Sequence, residues 1–267
     1  MRESSSERRH HARPLLAIMK HSVKKLARQL GYDIRYVGRE HLSEGARTQS
    51  DLQSVSYQEN PEVGPVNYAE KEARVKAGGP FEWPNMVALN RAVVTLIGPA
   101  RRIVELGGGT GCFAYEAAAA PERFVVCSEL DQDAIRWAQE NRNLPNIQYV
   151  NRLVTADEGL FDLVVAIDVI EHIQDYRSFL ETCVALAPHA IITTPNKNRD
   201  PQAAIASPPA YYQHVREWTA GEFYWVLRAF YQSVKLYSMP NVCIPQVVPI
   251  RITDTLTPLI AICGRPY

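Results

Sequence analysis

Beyond residue 84, short apolar runs rich in Val and Ile alternate with longer segments of helical spacing, and this alternation narrows the fold more than any other feature of the chain. An apolar helix around Asn85 to Leu96 precedes RIVEL. A helix at CFAYEAAAA, the strand FVVCS and a helix at DAIRWAQENR come next. IQYV, DLVVAI and AIITT follow as strands, with a helix from about Tyr176 to Ala187 before the last of them. Such an order implies an α/β, doubly wound, mostly parallel sheet with helices on both faces. Its ligand belongs at the C-terminal strand ends.

The turn after RIVEL is the strongest local signal. VELGGGTG sets Glu105, Gly107, Gly109 and Gly111 in an E-x-G-x-G-x-G pattern that opens the alanine-rich helix. Glycines permit positive φ and let a ligand approach the backbone, while the helix start offers free N–H groups. A nucleotide-like ligand is implied. Glu129, in VVCSELD, follows Gly111 by a spacing at which a carboxylate accepts both ribose hydroxyls. The rival reading places it in the first turn of the next helix, a position that Asp131 fills better. Gly109, Gly111 and Ala114 also satisfy the dinucleotide pattern G-x-G-x-x-A, so a nicotinamide-dependent dehydrogenase competes at this point.

Composition removes other classes. Lys plus Arg and Asp plus Glu number 29 each, so no overall field argues for nucleic acid or an acidic surface. The cysteines Cys112, Cys127, Cys183, Cys243 and Cys263 are odd in number and lack a CxxC pair, which reads as reduced thiols in a cytoplasmic protein. No apolar run approaches the roughly 18 residues of a membrane span. Residues 1–65 form an arm of a different character. Leu15, Leu16, Met19, Val23, Leu26 and Leu30 recur at helical spacing among Arg and Lys side chains, with Gly31 as a stop, and a polar linker follows. This basic amphipathic helix is expected to lie on the domain, on a second subunit as in a homodimer, or on an anionic surface. Residues 66–267 form the main domain.

Further along, IDVIEHI follows the fourth strand, TTPN the fifth, and HVREWTAGEF opens the last helix. With ExGxGxG, this set resembles the class I S-adenosylmethionine-dependent methyltransferases. The resemblance covers about Arg101 to Tyr267. It implies a Rossmann-like, seven-stranded sheet whose C-terminal antiparallel strand pair would be SVKLYSM and TLTPLIAICGRP. It also implies that Gly107, Gly109 and Gly111 pass under the methionine part of S-adenosylmethionine, with Glu105 near its amino group. Glu129 would hold the ribose, Asp168 would edge the methionyl end, and Asn151 stands where the family often has an acid near the adenine. The set disfavours an NAD(P)-dependent dehydrogenase, which would more often continue into a substrate domain.

Chemistry then rests on two stretches. Asp168, Glu171 and His172 are spaced i, i+3 and i+4, which places them on one helical face, and Asp168 with Glu171 also reads as a capping box. Thr219 and Glu222 form a second box, with Trp218 and Phe223 spaced as a hydrophobic staple. His214 is left over at the end of a long loop that carries Tyr211 and Tyr212. A hydroxyl acceptor holds its proton tightly and wants a base, so His214, His172 and Glu171 are the candidate catalytic groups. Cys112 reads as a small core residue. Small-RNA 2'-O-methyltransferases, a subfamily of similar motif order, bind Mg2+ at positions matching Asp168, Glu171, His172 and His214; no metal ligand is assigned here. EH and HVRE segments also occur in enzymes acting on quinone rings and glycans, and no RNA-stacking motif is legible. A small-molecule or glycan hydroxyl is the expected acceptor; an RNA 2'-O-methyltransferase-like enzyme and a non-catalytic cofactor-binding module are the alternatives.

Overall fold

The computed structural model describes residues 82–199 and 214–266. The basic N-terminal helix and its contacts, the linker, Tyr211 and Tyr212 lie outside the described residues. The elements are α1 (Pro84–Val94), β1 (Arg102–Leu106), α2 (Cys112–Ala118), β2 (Phe124–Ser128), α3 (Gln132–Asn141), β3 (Ile147–Val150) and β4 (Leu163–Ala166). Then come α4 (Tyr176–Leu186), β5 (His189–Thr194), α5 (Ala220–Arg228), β6 (Tyr231–Ser238), β7 (Val248–Pro249) and β8 (Leu259–Pro266).

These strands make one sheet of eight, in the order β3-β2-β1-β4-β5-β8-β6-β7. The sequence leads to an expectation of seven. The eighth is the two-residue β7, which adds to the edge of β6 and is too short to carry a periodic signal. β1 to β5 pair in parallel, and β8 runs antiparallel between β5 and β6. The parallel strands are nearly continuous in Val and Ile because they are covered on both sides: all four residues of β4, LVVA, are buried. Their side chains divide by alternation between two apolar clusters. Val104, Val164 and Ile192 join Leu180 of α4 and Phe223 of α5, whereas Ile103, Val165 and Ile191 join Val93 of α1 and Phe113 of α2.

Chain order reverses at β1, whose neighbours are β2 on one side and β4 on the other. This switch point, at the C-terminal ends of β1 and β4, is the place where open α/β sheets take ligands. Both sequence-marked stretches, the glycine turn and IDVIEHI, start there.

The helix ends divide the two capping expectations. At α5 the box forms in full: Thr219 accepts from the Glu222 N–H at 3.2 Å, and Glu222 accepts from the Thr219 N–H at 2.9 Å. The Trp218 and Phe223 rings sit 6.1 Å apart as the staple. Thr219→Ala should cost about 1 kcal/mol of stability, read by urea denaturation. The Asp168–Glu171 box does not form. Only a single 3₁₀ turn, Ile170–His172, follows β4, and its first position is held by Val169 without a side-chain cap. Asp168 is turned away because it sits at φ 52° and is tied to Thr193, whose hydroxyl accepts from the Asp168 N–H at 2.9 Å and donates to Oδ1 at 2.7 Å.

Candidate active site

The glycine turn is shaped by two close approaches. Gly107 adopts φ 69°, and a Cβ there would lie 2.7 Å from the Val169 side chain, so the loops after β1 and β4 meet at this point. Gly111, at φ 72°, caps α2; a Cβ there would lie 2.6 Å from the Tyr149 ring. Both positions need glycine for conformation and for space. The turn is fastened to β2 by the Gly107 and Gly108 N–H groups, which donate to the Ser128 carbonyl at 2.8 and 3.1 Å.

Glu129 lies just beyond β2, outside α3, whose N-cap is Asp131. Its carboxylate braces the turn. Oε2 accepts from the Gly109 N–H at 2.8 Å, and Oε1 accepts from the Leu130 and Asp131 N–H groups at 2.7 and 2.9 Å. A carboxylate offers about four acceptor directions, so capacity remains for a ligand hydroxyl. Asn151 stands behind it, donating to the Glu129 and Leu130 carbonyls at 3.0 and 2.8 Å.

Glu105 lies beneath the turn and is only 3% exposed. Its Oε2 has no hydrogen-bond partner among the described residues, and a Cβ on Gly108 would lie 2.8 Å from that oxygen. Burial pushes its pKa up to about 8, while the nearby Cys127 thiol and Ala114 N–H favour the ionised form and the charges of Glu129 and Glu82 oppose it. Cys112 is buried too, and burial, with the charge of Glu82, drives its thiol far above the ordinary range. This thiol is a packing group.

Sequence reading missed the brace on the outer side. Glu82 and Arg142 form an ion pair at 3.0 Å, and Arg142 also donates to the Thr110 carbonyl at 3.0 Å, with Thr110 donating to Glu82. Burial works against the Glu82 charge, yet hydrogen bonding and charge from Arg142 hold its pKa below the usual value. Tyr149 donates to the Arg142 carbonyl at 2.7 Å. Glu82 and Arg142 are 60 residues apart, and no local pattern links them.

On the β4 side of the switch point, the turn after that strand meets the segment that leads into α5. The Val215 and Arg216 N–H groups donate to the Glu171 carbonyl at 2.8 and 3.2 Å, which draws His214 to His172. The two imidazole rings are 4.9 Å apart and nearly perpendicular. Nδ1 of His214 is 2.7 Å from Oε1 of Glu217, a pair whose side chains are almost fully buried. Glu217 was not singled out in the sequence, although it shares the HVRE stretch with His214. Glu171 is fully buried, and neither carboxylate oxygen has a hydrogen-bond partner among the described residues. Burial, reinforced by the charge of Asp168, raises its pKa well above the carboxylate range. Ligand atoms of Glu171, His172 and His214 lie within 4.8 Å of one another, close enough to share a cation. Asn196 of TTPN is engaged elsewhere: it is buried and donates to the Asp254 and Leu256 carbonyls, both at 2.9 Å.

Comparison with known proteins agrees with this fold. A family model described as "Methyltransferase domain" matches residues 82–230. The chain belongs to that family of methyltransferase domains. No curated protein matches it. Among solved structures it is similar to the plantazolicin methyltransferase BpumL in complex with a monoazolic desmethylPZN analog and SAH. The identity is 10%, the TM-score 0.53, and the match covers 74% of this chain and 90% of that one. A S-adenosylmethionine-dependent methyltransferase of Thermotoga maritima, titled a possible histamine N-methyltransferase, is 14% identical with a TM-score of 0.51, covering 73% of this chain and 94% of that one. The methyltransferase domain of bacterial CtHen1 is 19% identical with a TM-score of 0.50, covering 68% of this chain and 98% of that one. No helix among the described residues is long and apolar enough to cross a membrane.

Proposed function

We propose that this chain is an S-adenosylmethionine-dependent methyltransferase that acts on a hydroxyl of a small molecule or glycan. The observation that carries the reading is the buried His214–Glu217 pair, 2.7 Å apart and beside His172 and Glu171, opposite a glycine turn braced by a carboxylate. The cofactor, when bound, supplies a methyl group already activated on a sulfonium. Everything else is positioning and proton transfer.

Gly107, Gly109 and Gly111 would run under its methionine part, with Glu105 below them. Glu129 would turn its remaining acceptor capacity to the ribose, with Asn151 fixing the loop on the adenine side and Asp168 at the methionyl end. Glu217 holds Nδ1 of His214, and this imidazole would take the proton of the attacking hydroxyl. His172 and the buried Glu171 would shape the acceptor end.

A metal-assisted variant has one observation in its favour, the orphaned Glu171 carboxylate beside two imidazoles. Such a set fits a divalent cation, and two histidines suit Mn2+, Co2+ or Zn2+ better than Mg2+. Glu171, His172 and His214 would hold it, and it would lower the pKa of a bound hydroxyl.

Titration calorimetry tests the cofactor. S-adenosylmethionine and S-adenosylhomocysteine should bind, with little affinity for nicotinamide dinucleotides. Glu129→Ala should weaken binding by about 1–3 kcal/mol, the cost of losing hydrogen bonds to a charged acceptor. Unchanged affinity removes Glu129 from the site. Transfer of a labelled methyl group to a panel of phenol, sugar and RNA hydroxyls then separates the acceptor classes.

A further inference from the structure

The surface carries a concavity whose wall includes Glu217, the partner of His214, and none of the residues assigned above to the cofactor. It is a groove of 690 Å³ between the first turn of α4 and one side of α5, with Glu217 and Trp218 in its wall. That volume suits a small ligand.

Its charges are unevenly committed. Of its two acids, Glu217 is paired with His214 and Glu222 is held in the capping box of α5. Its two cations are Arg177 and Arg216. Among the described residues neither forms an ion pair with a carboxylate, and the Arg216 guanidinium instead lies 5.0 Å from the centre of the Tyr176 ring. A guanidinium stacked this way keeps its N–H edge available for an anion, which it binds best in bidentate fashion. The groove therefore sets two guanidinium groups that lack a carboxylate partner among the described residues beside two carboxylates that are each held by hydrogen bonds within the protein.

The second component is an aromatic shelf. Trp225 lines the groove and is 65% exposed, although an indole of that size is ordinarily far more covered. Its ring is held edge-on by Tyr224, at a centroid distance of 5.1 Å. Val226 and Phe230 continue the apolar wall. An exposed, fixed indole beside two uncommitted guanidinium groups matches a ligand with a ring face and an anionic substituent.

We propose that this groove is a binding site for a ring-bearing anion, a carboxylate or phosphate attached to a sugar or an aromatic ring. Its lining shares Glu217 with the His214 pair but none of the cofactor-side residues, and the proposal does not depend on the methyl-transfer reading. The full chain, labelled with 15N, is titrated with glucuronate and 4-hydroxybenzoate, and with glucose and 4-hydroxybenzyl alcohol as their uncharged counterparts. The Trp225 indole N–H signal, assigned with Trp225→Phe, should move saturably with at least one acid and at least about tenfold more weakly with its neutral partner. Arg177→Ala combined with Arg216→Ala should abolish the shift while the thermal transition stays in place. Glucuronate acting alone identifies a sugar ligand, and 4-hydroxybenzoate acting alone an aromatic one. Equal shifts with acid and neutral probes, no shift with either acid at tens of millimolar, or a shift that survives loss of both arginines overturns the site. S-adenosylhomocysteine binding, measured on the same samples, reports on the cofactor site separately.

Discussion

His214→Ala should lower turnover of an acceptor identified by methyl-transfer screening by about 10²–10⁴-fold, the range that a positioned base supplies, while leaving S-adenosylhomocysteine affinity within about twofold. The expectation follows from the arrangement of the pair. A 2.7 Å contact between Nδ1 and a buried carboxylate fixes the imidazole in place. Glu217→Gln keeps an acceptor oxygen for Nδ1 but loses the charge that stabilises the imidazolium formed during transfer. Its kcat should fall by less than that of His214→Ala, with KM little changed. Glu217→Ala should fall further. Turnover of His214→Ala unaltered across pH removes the base. Activity lost on exhaustive chelation and restored by Mn2+, Co2+ or Zn2+ would favour the metal-assisted variant, in which His214 serves as a ligand; full activity after chelation excludes it.

What the sequence made legible follows from how local each determinant is. The β1 turn and α2 could be read directly, because three alternating glycines between a strand and a helix answer local demands on φ and on space. The Thr219–Glu222 box and the Trp218–Phe223 staple were equally readable, since every partner lies within five residues. Asp168 and Glu171 have the same spacing as a box, yet tertiary structure overrides it. Thr193, from the neighbouring β5, captures Asp168 and leaves a single 3₁₀ turn in place of a capped helix. Non-local pairs stayed hidden. Nothing in the sequence joins Glu82 to Arg142, and only the resemblance to a Mg2+-binding subfamily implies that His172 and His214 meet, because that contact depends on backbone bonds from Val215 and Arg216 to the Glu171 carbonyl. The eighth strand was invisible because two residues have no period.

Stability of the ligand-free protein should fall as pH rises from about 5 to 8, and Glu105→Gln should remove much of that slope. A buried carboxyl whose pKa is raised from 4.5 to about 8 keeps its proton in the folded state over a range where the unfolded chain has lost it. The folded state then binds the additional proton, so the stabilisation is fully present below pH 4.5 and is lost progressively as pH climbs through about 8. One such group gives a slope of about 1.4 kcal/mol per pH unit. Glu171 is shifted in the same direction by its own burial and by Asp168, so Glu171→Gln should remove a further share, and the two single variants with the double separate the contributions. Urea denaturation at pH 5, 6, 7 and 8 provides the measurement. An identical slope in the parent and in Glu105→Gln would mean that Glu105 is ionised in the folded protein. The same carboxyl links stability to the proposed function. If a positively charged cofactor settles on the turn above it, the ionised form is favoured, and binding near pH 7 should release part of a proton. Calorimetry in buffers of different ionisation enthalpy detects that release, and it should vanish in Glu105→Gln.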